Sequence, residues 1–367
     1  MPVIPNNPNT LIHRNLVFTM QDYWFELTSS STDLLKSAYI IDQNDNIVNP
    51  NAPLLSAKQN GKYRFNLKYI LNNDALFTND ALPEKDYKGT FRPVGLIKRF
   101  KVRIDNADSA EIYFINGNAP DRIYDVYGQN TFTNFRKLGN PFLSFSPGLK
   151  LVKPKSVQYL YYLNNLNDAP TTIKLKAKIT LLDGSVQTRL ISTFENVNPY
   201  EIIASTVSPV DMVDGTTLVI DEIDFFEIFL TTNDDEVITE RKRFIIDRSF
   251  EDDNICILYR NQLGVFETFD FDGQVNLLKD FTFSSFQNEV ENIDFETTVV
   301  QKIVAKTSAL EKGWSNYLSE DLMQSNEIYW LHPDGRRIRL SKINKSLKVK
   351  DEKENDKLEI EFKIAKI

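Results

Sequence analysis

Apolar and polar residues alternate along much of this chain with a period of two, which is the spacing of strands that bury one face. In the two clearest runs, basic or polar residues separate the apolar positions. Those positions are Phe100, Val102 and Ile104 in the first run, and Ile173, Leu175, Ala177 and Ile179 in the second. Each run places its apolar side chains on one face of a sheet.

Turn residues separate several of these runs and predict antiparallel hairpins. Asp183-Gly184 and Asp334-Gly335 each stand between two alternating runs, and we expect a primed two-residue turn at both places. Near the C-terminus, Leu347 and Val349 are expected to pair with the run from Leu358. The chain is therefore predicted to be mainly β, with antiparallel sheets.

Helical spacing is rare in this sequence. Leu310, Trp314, Leu318 and Leu322 recur every four residues and predict a helix over residues 307–323. A shorter helix is expected over residues 65–76. The predicted fold class is a mainly β, multidomain protein of antiparallel β-sandwiches with one or two short helices.

Length and proline placement predict the domain organisation. At 367 residues the chain is long enough for two or three domains. We expect an extended Pro-rich arm over residues 1–12, a β-rich domain over 13–146, an immunoglobulin-like β-sandwich over 147–244 and a C-terminal β domain with one helix over 245–367. The aromatic run at residues 158–163 is expected to anchor an interface if exposed, or to enter a core if buried.

Composition excludes several classes of function. The formal charge of −8 makes free nucleic acid an unexpected partner, and 13 glycines argue against glycine-rich nucleotide loops. One cysteine and two histidines cannot form an internal disulfide or a Cys/His zinc cluster. The N-terminus lacks a secretory signal pattern, and no run of apolar residues is long enough to span a membrane, so we expect neither export nor membrane insertion.

Catalytic residues are not expected. His13 and His332 lie beside prolines, no G-x-S-x-G elbow exists, and Cys256 lies in an apolar run where a buried small side chain is expected. The acidic clusters are expected on solvated turns, although a pair of carboxylates facing each other would permit glycoside hydrolysis. These clusters are Asp221, Glu222, Asp224 and Glu227; Asp234, Asp235 and Glu236; and residues 251–253.

Metal and nucleic-acid sites are not expected either. Asp42, Asn44 and Asn46 begin like a calcium loop, but Ile47 and Pro53 stand where glycine and glutamate are required, so a hairpin turn is predicted. Asp270, Asp272 and Gly273 form a similarly weak pattern. Exposed basic residues are expected to meet neighbouring subunits or solvent rather than nucleic acid. These residues are Arg99, Lys101, Arg103, Arg336, Arg337 and Arg339.

The signature segment, residues 259–273, has the most recognisable pattern in the chain. It reads Y-R-N-Q-L-G-V-F-E-T-F-D-F-D-G, and it resembles the "rN-x-x-G-v-x-E-T-f-x-x-x-G" segment of virion structural proteins in tailed phages and prophages of Bacteroidota. Weaker matches to the same group follow the same order along the chain. They lie at residues 63–71, 113–117, 142–163, 243–247, 322–329 and 340–350. Asn261, Gly264 and Glu267 are expected to shape a loop between strands, with Phe266, Phe269 and Phe271 packing beside it.

The resemblance implies a non-enzymatic component of a tail, baseplate or neck, assembled in the host cytoplasm and located in the virion. Its expected partners are copies of itself and other virion proteins, with no cofactor and no transferable site residues. An alternative is a carbohydrate-binding module at the host-contacting end of a tail, in which exposed Trp24, Trp314 or Trp330 stack on a host surface glycan. A glycosidase is a third alternative.

Overall fold

The computed structural model describes most of the chain. The described residues are 16–71, 76–77, 89–118, 142–164, 169–248, 255–273, 275–287, 292–307, 310, 313–332, 334–343 and 357–365. The predicted arm at residues 1–12, His13, residues 251–253, Leu347 and Val349 lie outside them. The fold is mainly β with several antiparallel sheets and three short α-helices in the described part, which confirms the predicted fold class.

The N-terminal part is a sandwich of two sheets. Its strands are β1 (Leu16–Phe18), β2 (Trp24–Thr28), β3 (Leu35–Asp42), β4 (Leu54–Ala57), β5 (Lys62–Asn66), β6 (Thr90–Phe91), β7 (Ile97–Ile104), β8 (Ala107–Asp108) and β9 (Ile112–Ile115). The larger sheet has the order β1-β9-β7-β3-β4 with β8 beside β7, and β2 pairs with β5 in the smaller one. The predicted alternation is confirmed, because Phe100, Val102 and Ile104 are buried in the core between the sheets.

The helix predicted over residues 65–76 is wrong at its start. Phe65 lies in strand β5, and among the described residues of this range the α-helix, α1, spans Lys68–Leu71. Phe65 and Tyr63 are buried between the two sheets, so the period-two burial of the strand decides the structure there.

The central part has the immunoglobulin-like strand arrangement that the sequence predicts. Its strands are β10 (Leu149–Val152), β11 (Gln158–Leu163), β12 (Thr171–Leu181), β13 (Val186–Val197), β14 (Ile202–Val207), β15 (Ile223–Thr232) and β16 (Lys242–Ile246). One sheet has the order β10-β16-β15-β12-β13, in which β10 runs parallel to its neighbour β16. In the facing sheet, β11 pairs with β14. Strand β6 of the N-terminal part extends this second sheet beside β14.

A short helix in the central part was not predicted. Helix α2 (Pro209–Val213) begins after Ser208, whose backbone N–H donates to Asp211 Oδ2 at 2.6 Å, while the Ser208 hydroxyl accepts from the Asp211 N–H. This reciprocal pair is a capping box with Asp in place of the usual Glu, and proline follows at the first helical position. The Ser-Pro-x-Asp pattern was therefore available as a signal.

The C-terminal part is a seven-stranded sheet with one helix against it. Its strands are β17 (Ile255–Arg260), β18 (Phe266–Phe271), β19 (Val275–Gln287), β20 (Asn292–Lys306), β21 (Ile328–Leu331), β22 (Arg337–Lys342) and β23 (Glu359–Ile364). Their order is β18-β17-β21-β22-β23-β20-β19. Strand β23 lies between β22 and β20.

The predicted helix over residues 307–323 is shorter than expected. Helix α3 spans Trp314–Glu320, and the chain enters it through Gly313 at φ +92°. Thr307 does not belong to the helix, because its N–H donates to the carbonyl of Leu358 next to the sheet. Trp314, Leu318 and Leu322, which recur every four residues, lie in the core of the C-terminal part.

The hairpin loops differ from the predicted two-residue turns. The loops 181–185 and 332–336 have the same two hydrogen bonds. The N–H of the first residue donates to the carbonyl of the fifth residue, and the N–H of the fourth residue donates to the carbonyl of the first. A primed Asp-Gly turn requires a positive φ at both central residues. Gly184 and Gly335 have a positive φ, but Asp183 and Asp334 do not. These are three-residue loops with a left-handed fourth position. Loops 42–46, 232–236 and 261–265 repeat the same geometry, with Asp45, Asp235 and Gly264 at that position.

Candidate functional site

A hydrophobic core connects the three parts of the molecule, and we call it the junction core. All six residues of β11 are buried. Leu160 and Tyr162 face the core inside the central sandwich, while Tyr159, Tyr161 and Leu163 face the junction core. The other main contributors are Leu16, Phe18, Leu96 and Ile115 from the N-terminal part and Leu258, Leu263, Val265 and Phe266 from the C-terminal part. The aromatic run is therefore core on both faces.

The signature segment contributes the last two residues of β17, the following loop and strand β18 to this junction. Asn261 organises the loop, because its side-chain carbonyl accepts from the Val265 N–H at 3.2 Å. Its side-chain amide donates to the carbonyl of Leu143 at 2.9 Å and to Glu267 Oε2 at 2.9 Å. The loop is thus bonded to the linker that enters the central sandwich, which fits the expected loop-shaping role of Asn261.

Gly264 occupies a position that permits no side chain. Its φ is +84°, and a Cβ atom there would lie 2.0 Å from the backbone oxygen of Asn116 in the N-terminal part. Gly117 is its counterpart, because a Cβ at that residue would lie 2.6 Å from the backbone oxygen of Gln262. Asn118 N–H donates to the same oxygen of Gln262. The two backbones therefore pack directly against each other.

Glu267 is the centre of a buried hydrogen-bond network. The side chain is buried, and it accepts from the Ser144 hydroxyl at 2.6 Å, from the Asn261 amide at 2.9 Å and from the Tyr317 hydroxyl. Tyr259 donates to the Tyr317 hydroxyl at 3.1 Å, and burial raises the pKa of both tyrosines well above the usual value. The network joins β18, helix α3 and the linker before β10, so Glu267 has a positioning role here.

Two ionisable residues are buried between β10 and β18. Lys150 Nζ donates to the carbonyl of Thr268 and lies 6.0 Å from the centre of the Trp314 ring. Burial lowers the pKa of Lys150 and raises the pKa of Asp270. Cys256 lies directly opposite Asp270 on the neighbouring strand, and burial raises the pKa of its thiol well above the usual value.

The residues considered for catalysis do not converge. His332 Nδ1 lies 2.8 Å from Asp334 Oδ1 in an exposed turn, where backbone and side-chain hydrogen bonds lower the pKa of Asp334 to about 2. Glu227 is buried in an ion pair with Arg243 at 2.7 Å, and Asp235 pairs with Lys174 and Lys176. Asp221, Glu222, Asp224, Asp234 and Glu236 are exposed.

The calcium-like pattern forms a turn. Asp42 Oδ1 accepts from the N–H groups of Asn44 at 2.8 Å and Asn46 at 2.9 Å, which closes the loop as the sequence predicts. Within the described part of the chain, no group of three or more His, Cys, Asp or Glu residues is arranged to hold a metal ion.

The three tryptophans lie in different environments. Trp314 is buried at 4% exposure and donates to the carbonyl of Leu149 at 2.9 Å, so its expected exposure for glycan stacking is wrong. Trp24 is 38% exposed. Trp330 lines a groove of about 650 Å³ on the C-terminal sheet, together with basic and aliphatic side chains. The basic residues of the groove are Lys279, Lys302, Arg336 and Arg337.

Strands β19 and β20 form a long ribbon at the edge of the C-terminal sheet. Strand β19 pairs with β20 over Val275–Gln287, but β23 pairs only with Lys302–Lys306 of β20. Among the described strands, β19 has no partner along its outer edge. Leu277, Leu278 and Phe281 are 64%, 46% and 54% exposed. We call residues 275–301 the edge ribbon.

The described basic face on β7 is paired with acidic residues. Arg103 forms an ion pair with Asp108 at 2.6 Å, Arg99 with Glu111 at 3.2 Å and Lys101 with Asp45 at 3.4 Å. Each basic residue, for which the sequence predicted contact with a neighbouring subunit or solvent, therefore has an acidic partner within the same chain. Among the described residues, no helix has the length and apolar character needed to cross a bilayer.

Comparisons with known proteins leave the chain without a family. No family model and no curated protein matches it. Among solved structures it is similar to the native conformation of E. coli alpha-2-macroglobulin, at 7% sequence identity and a TM-score of 0.18. That similarity covers 90% of this chain and 23% of the other, so the chain spans about a quarter of the length of that protein. At this TM-score the similarity carries no argument about fold or function.

Proposed function

We propose that this protein is a non-enzymatic structural component of a tailed-phage virion, in the tail, baseplate or neck, that assembles through contacts with copies of itself and with other virion proteins. The proposal rests first on the ordered resemblance of residues 63–350 to virion structural proteins. It rests second on the geometry of the signature segment, whose distinctive residues Asn261, Gly264 and Glu267 hold domains together. A segment with that role serves the architecture of the protein.

The edge ribbon is the observation that carries the assembly part of the proposal. A two-stranded ribbon is marginally stable in water without a third strand or a packed face. A long exposed edge strand with apolar side chains is also a template for pairing with another chain. Leu277 and Leu278 point to opposite faces of β19 and both are exposed, so each face of the ribbon offers apolar surface. Pairing with a second copy would bury this surface and satisfy the edge.

Self-association of the full-length protein tests this assembly. We expect the wild type to form an oligomer, and Leu278→Asp to weaken association at least about tenfold, equivalent to about 1.4 kcal/mol, because a carboxylate replaces a leucine that becomes buried. Leu55→Asp is the matched control, since Leu55 is 63% exposed on edge strand β4 and lies outside the ribbon. The measurement is native mass spectrometry with light scattering over a concentration series.

A wild-type protein that stays monomeric at every concentration, and in extracts of assembled particles, contradicts assembly through the ribbon. Equal weakening by Leu278→Asp and Leu55→Asp also contradicts it, because the effect would then reflect added charge and not position.

A second candidate function is glycan binding, which the Trp330 groove favours. An indole ring next to four cationic side chains suits an anionic polysaccharide, because the ring stacks on sugar faces while the cations meet carboxylate or sulfate groups.

A glycan array that includes acidic surface polysaccharides tests this second candidate. If the groove binds such a glycan, Trp330→Ala should reduce binding at least about tenfold, and Trp24→Ala should leave it unchanged because Trp24 lies on the N-terminal sandwich. Absence of binding to every acidic glycan, or equal loss in both variants, would remove this candidate while leaving the structural role unaffected.

A further inference from the structure

Lys150 lies in an unusual environment for a lysine. Its Nζ is buried where β10 meets the edge of β18, and it donates a hydrogen bond to the carbonyl of Thr268. Trp314 and Phe269 line the adjoining cavity. No ion pair within 4.0 Å joins Lys150 to a described carboxylate, although Glu267 and Asp270 both lie close enough to act on its charge. Buried ammonium groups are normally paired, so this one is exceptional.

Asp270 is the matching exception among the acids. It is buried at 7% exposure, and neither carboxyl oxygen accepts a well-aligned hydrogen bond from a described residue. Burial raises the pKa of the carboxyl group, and by more than hydrogen bonding lowers it, although the Ser156 hydroxyl and the Cys256 thiol lie close enough for such bonding. Asp270 follows Thr268 by two positions on β18, so the two side chains point to the same face of the sheet. Asp270 also lines the same cavity as Lys150.

A neighbouring pair shows how the same cavity holds an ordinary lysine and carboxylate. Lys153 and Asp247 also line it, and they form an ion pair with 2.8 Å between Nζ and Oδ2. Glu267 is likewise satisfied, because three donors already bind its oxygens. Lys150 and Asp270 line the same cavity, but neither forms an ion pair within 4.0 Å with a described residue.

We propose that Lys150 and Asp270 react after folding to form an intramolecular isopeptide bond that links β10 to β18. The Lys150 amine attacks Cγ of the Asp270 carboxyl group, the new C–N bond forms, and the C–O bond to the hydroxyl breaks. The hydroxyl leaves with a proton from the nitrogen as one water molecule, so no oxidant or other co-reactant is needed. Nζ must first turn from the Thr268 carbonyl towards Cγ within the cavity.

The environment favours the reacting forms of both groups. A neutral amine is the nucleophile and a neutral carboxyl group is the better electrophile, and burial shifts the pKa of Lys150 down and that of Asp270 up, towards these forms. The cavity volume of about 30 Å³ has room for the single water released. The apolar walls formed by Leu149, Phe269 and Trp314 limit access of bulk water to the amide.

The bond would fasten the central sandwich covalently to the C-terminal sheet. Strand β10 pairs with β16 and β18 pairs with β17, so the link connects the edge strands of two separate sheets. Unlike a disulfide, such a link resists reduction, which suits a chain whose one cysteine cannot form an internal disulfide. The inference concerns the junction alone and holds whether or not the protein is a virion component.

Intact mass of the denatured full-length protein tests the proposal. We expect the wild type to have a mass one water below that of its sequence, and proteolysis to release a branched peptide that joins the segments containing Lys150 and Asp270. Lys150→Met and Asp270→Ala should each have the full mass calculated for the variant. Lys153→Met is the matched control and should remain one water short.

A wild-type protein with the full sequence mass after prolonged incubation at neutral pH overturns the proposal. So does a water loss that persists in Lys150→Met or maps to another position, such as a cyclised Asp-Gly pair at Asp183-Gly184. Because the peptide map is made on the wild type, the result stands even if a variant folds poorly.

Discussion

Gly264→Ala should lower the free energy of unfolding by about 2–4 kcal/mol. A left-handed backbone costs a residue with a side chain roughly 1 kcal/mol, and forcing atoms into a packed site costs about 1–3 kcal/mol more. At Gly264 the added Cβ would lie 2.0 Å from the backbone oxygen of Asn116, so two segments of backbone must separate. The change opens the junction between the N-terminal and C-terminal parts. Denaturant unfolding followed by circular dichroism measures it.

Gly184→Ala provides a closely matched control. Gly184 has the same φ of +84° in a loop of the same geometry, but a Cβ there meets nothing within 4 Å. Its substitution should cost only about 1 kcal/mol, the cost of the backbone conformation alone. The difference between the two variants isolates the close approach at Asn116. Equal destabilisation by both would show that the junction tolerates a side chain and that the contact is not tight.

Glu267→Ala should destabilise the protein by about 3–5 kcal/mol, because each buried donor that loses its acceptor costs about 1–3 kcal/mol. The substitution leaves the Ser144 hydroxyl, the Asn261 amide and the Tyr317 hydroxyl without their shared acceptor. It also opens a cavity between β18 and helix α3. Thermal unfolding monitored by calorimetry is the measurement.

Glu236→Ala is the control for Glu267, because its side chain is exposed in the loop after β15. It should change stability by no more than about 0.5 kcal/mol. If Glu267→Ala unfolds at the same temperature as Glu236→Ala, the network around Glu267 does not hold the junction together, and the architectural interpretation of the signature segment fails.

Sequence reasoning succeeded where burial follows from local alternation. Phe100 and Ile173 lie in strands with one buried face, so a period of two identifies both the strand and its inner side chains. The type of turn was harder to predict. The choice between a two-residue and a three-residue loop depends on the φ of Asp183, and the dipeptide Asp-Gly does not determine that angle. Helix α3 begins after Gly313, and the four-residue spacing of apolar side chains gives no information about that position.

The junction was not predictable in the same way. Strand β11 is buried on both faces because segments distant in sequence cover its outer side, and a uniformly apolar run does not reveal what covers it. Lys150 and Asp270 look like solvated charges in the sequence, since nothing near them along the chain shows that β10 and β18 meet. Trp314 was placed on a surface for the same reason.

The three parts of the molecule share one buried core, and the edge ribbon, with its exposed apolar side chains, lies at the opposite end of the C-terminal strand order from β18. This combination suits a subunit that keeps its internal geometry while pairing with identical neighbours, because symmetry then repeats a single contact around a ring. The resemblance of the signature segment gives the same interpretation from independent information. Together they support the proposal that this protein is a building block of a particle.

Analysis of purified tailed particles from the bacterium or phage that carries this gene tests the central proposal most directly. Quantitative mass spectrometry of intact particles should find this chain at a fixed copy number relative to the tail proteins, and cryo-electron microscopy should place its three-part density, repeated by symmetry, in the tail, baseplate or neck. Particles that lack the chain, while the protein accumulates elsewhere in the infected or induced cell, would contradict it.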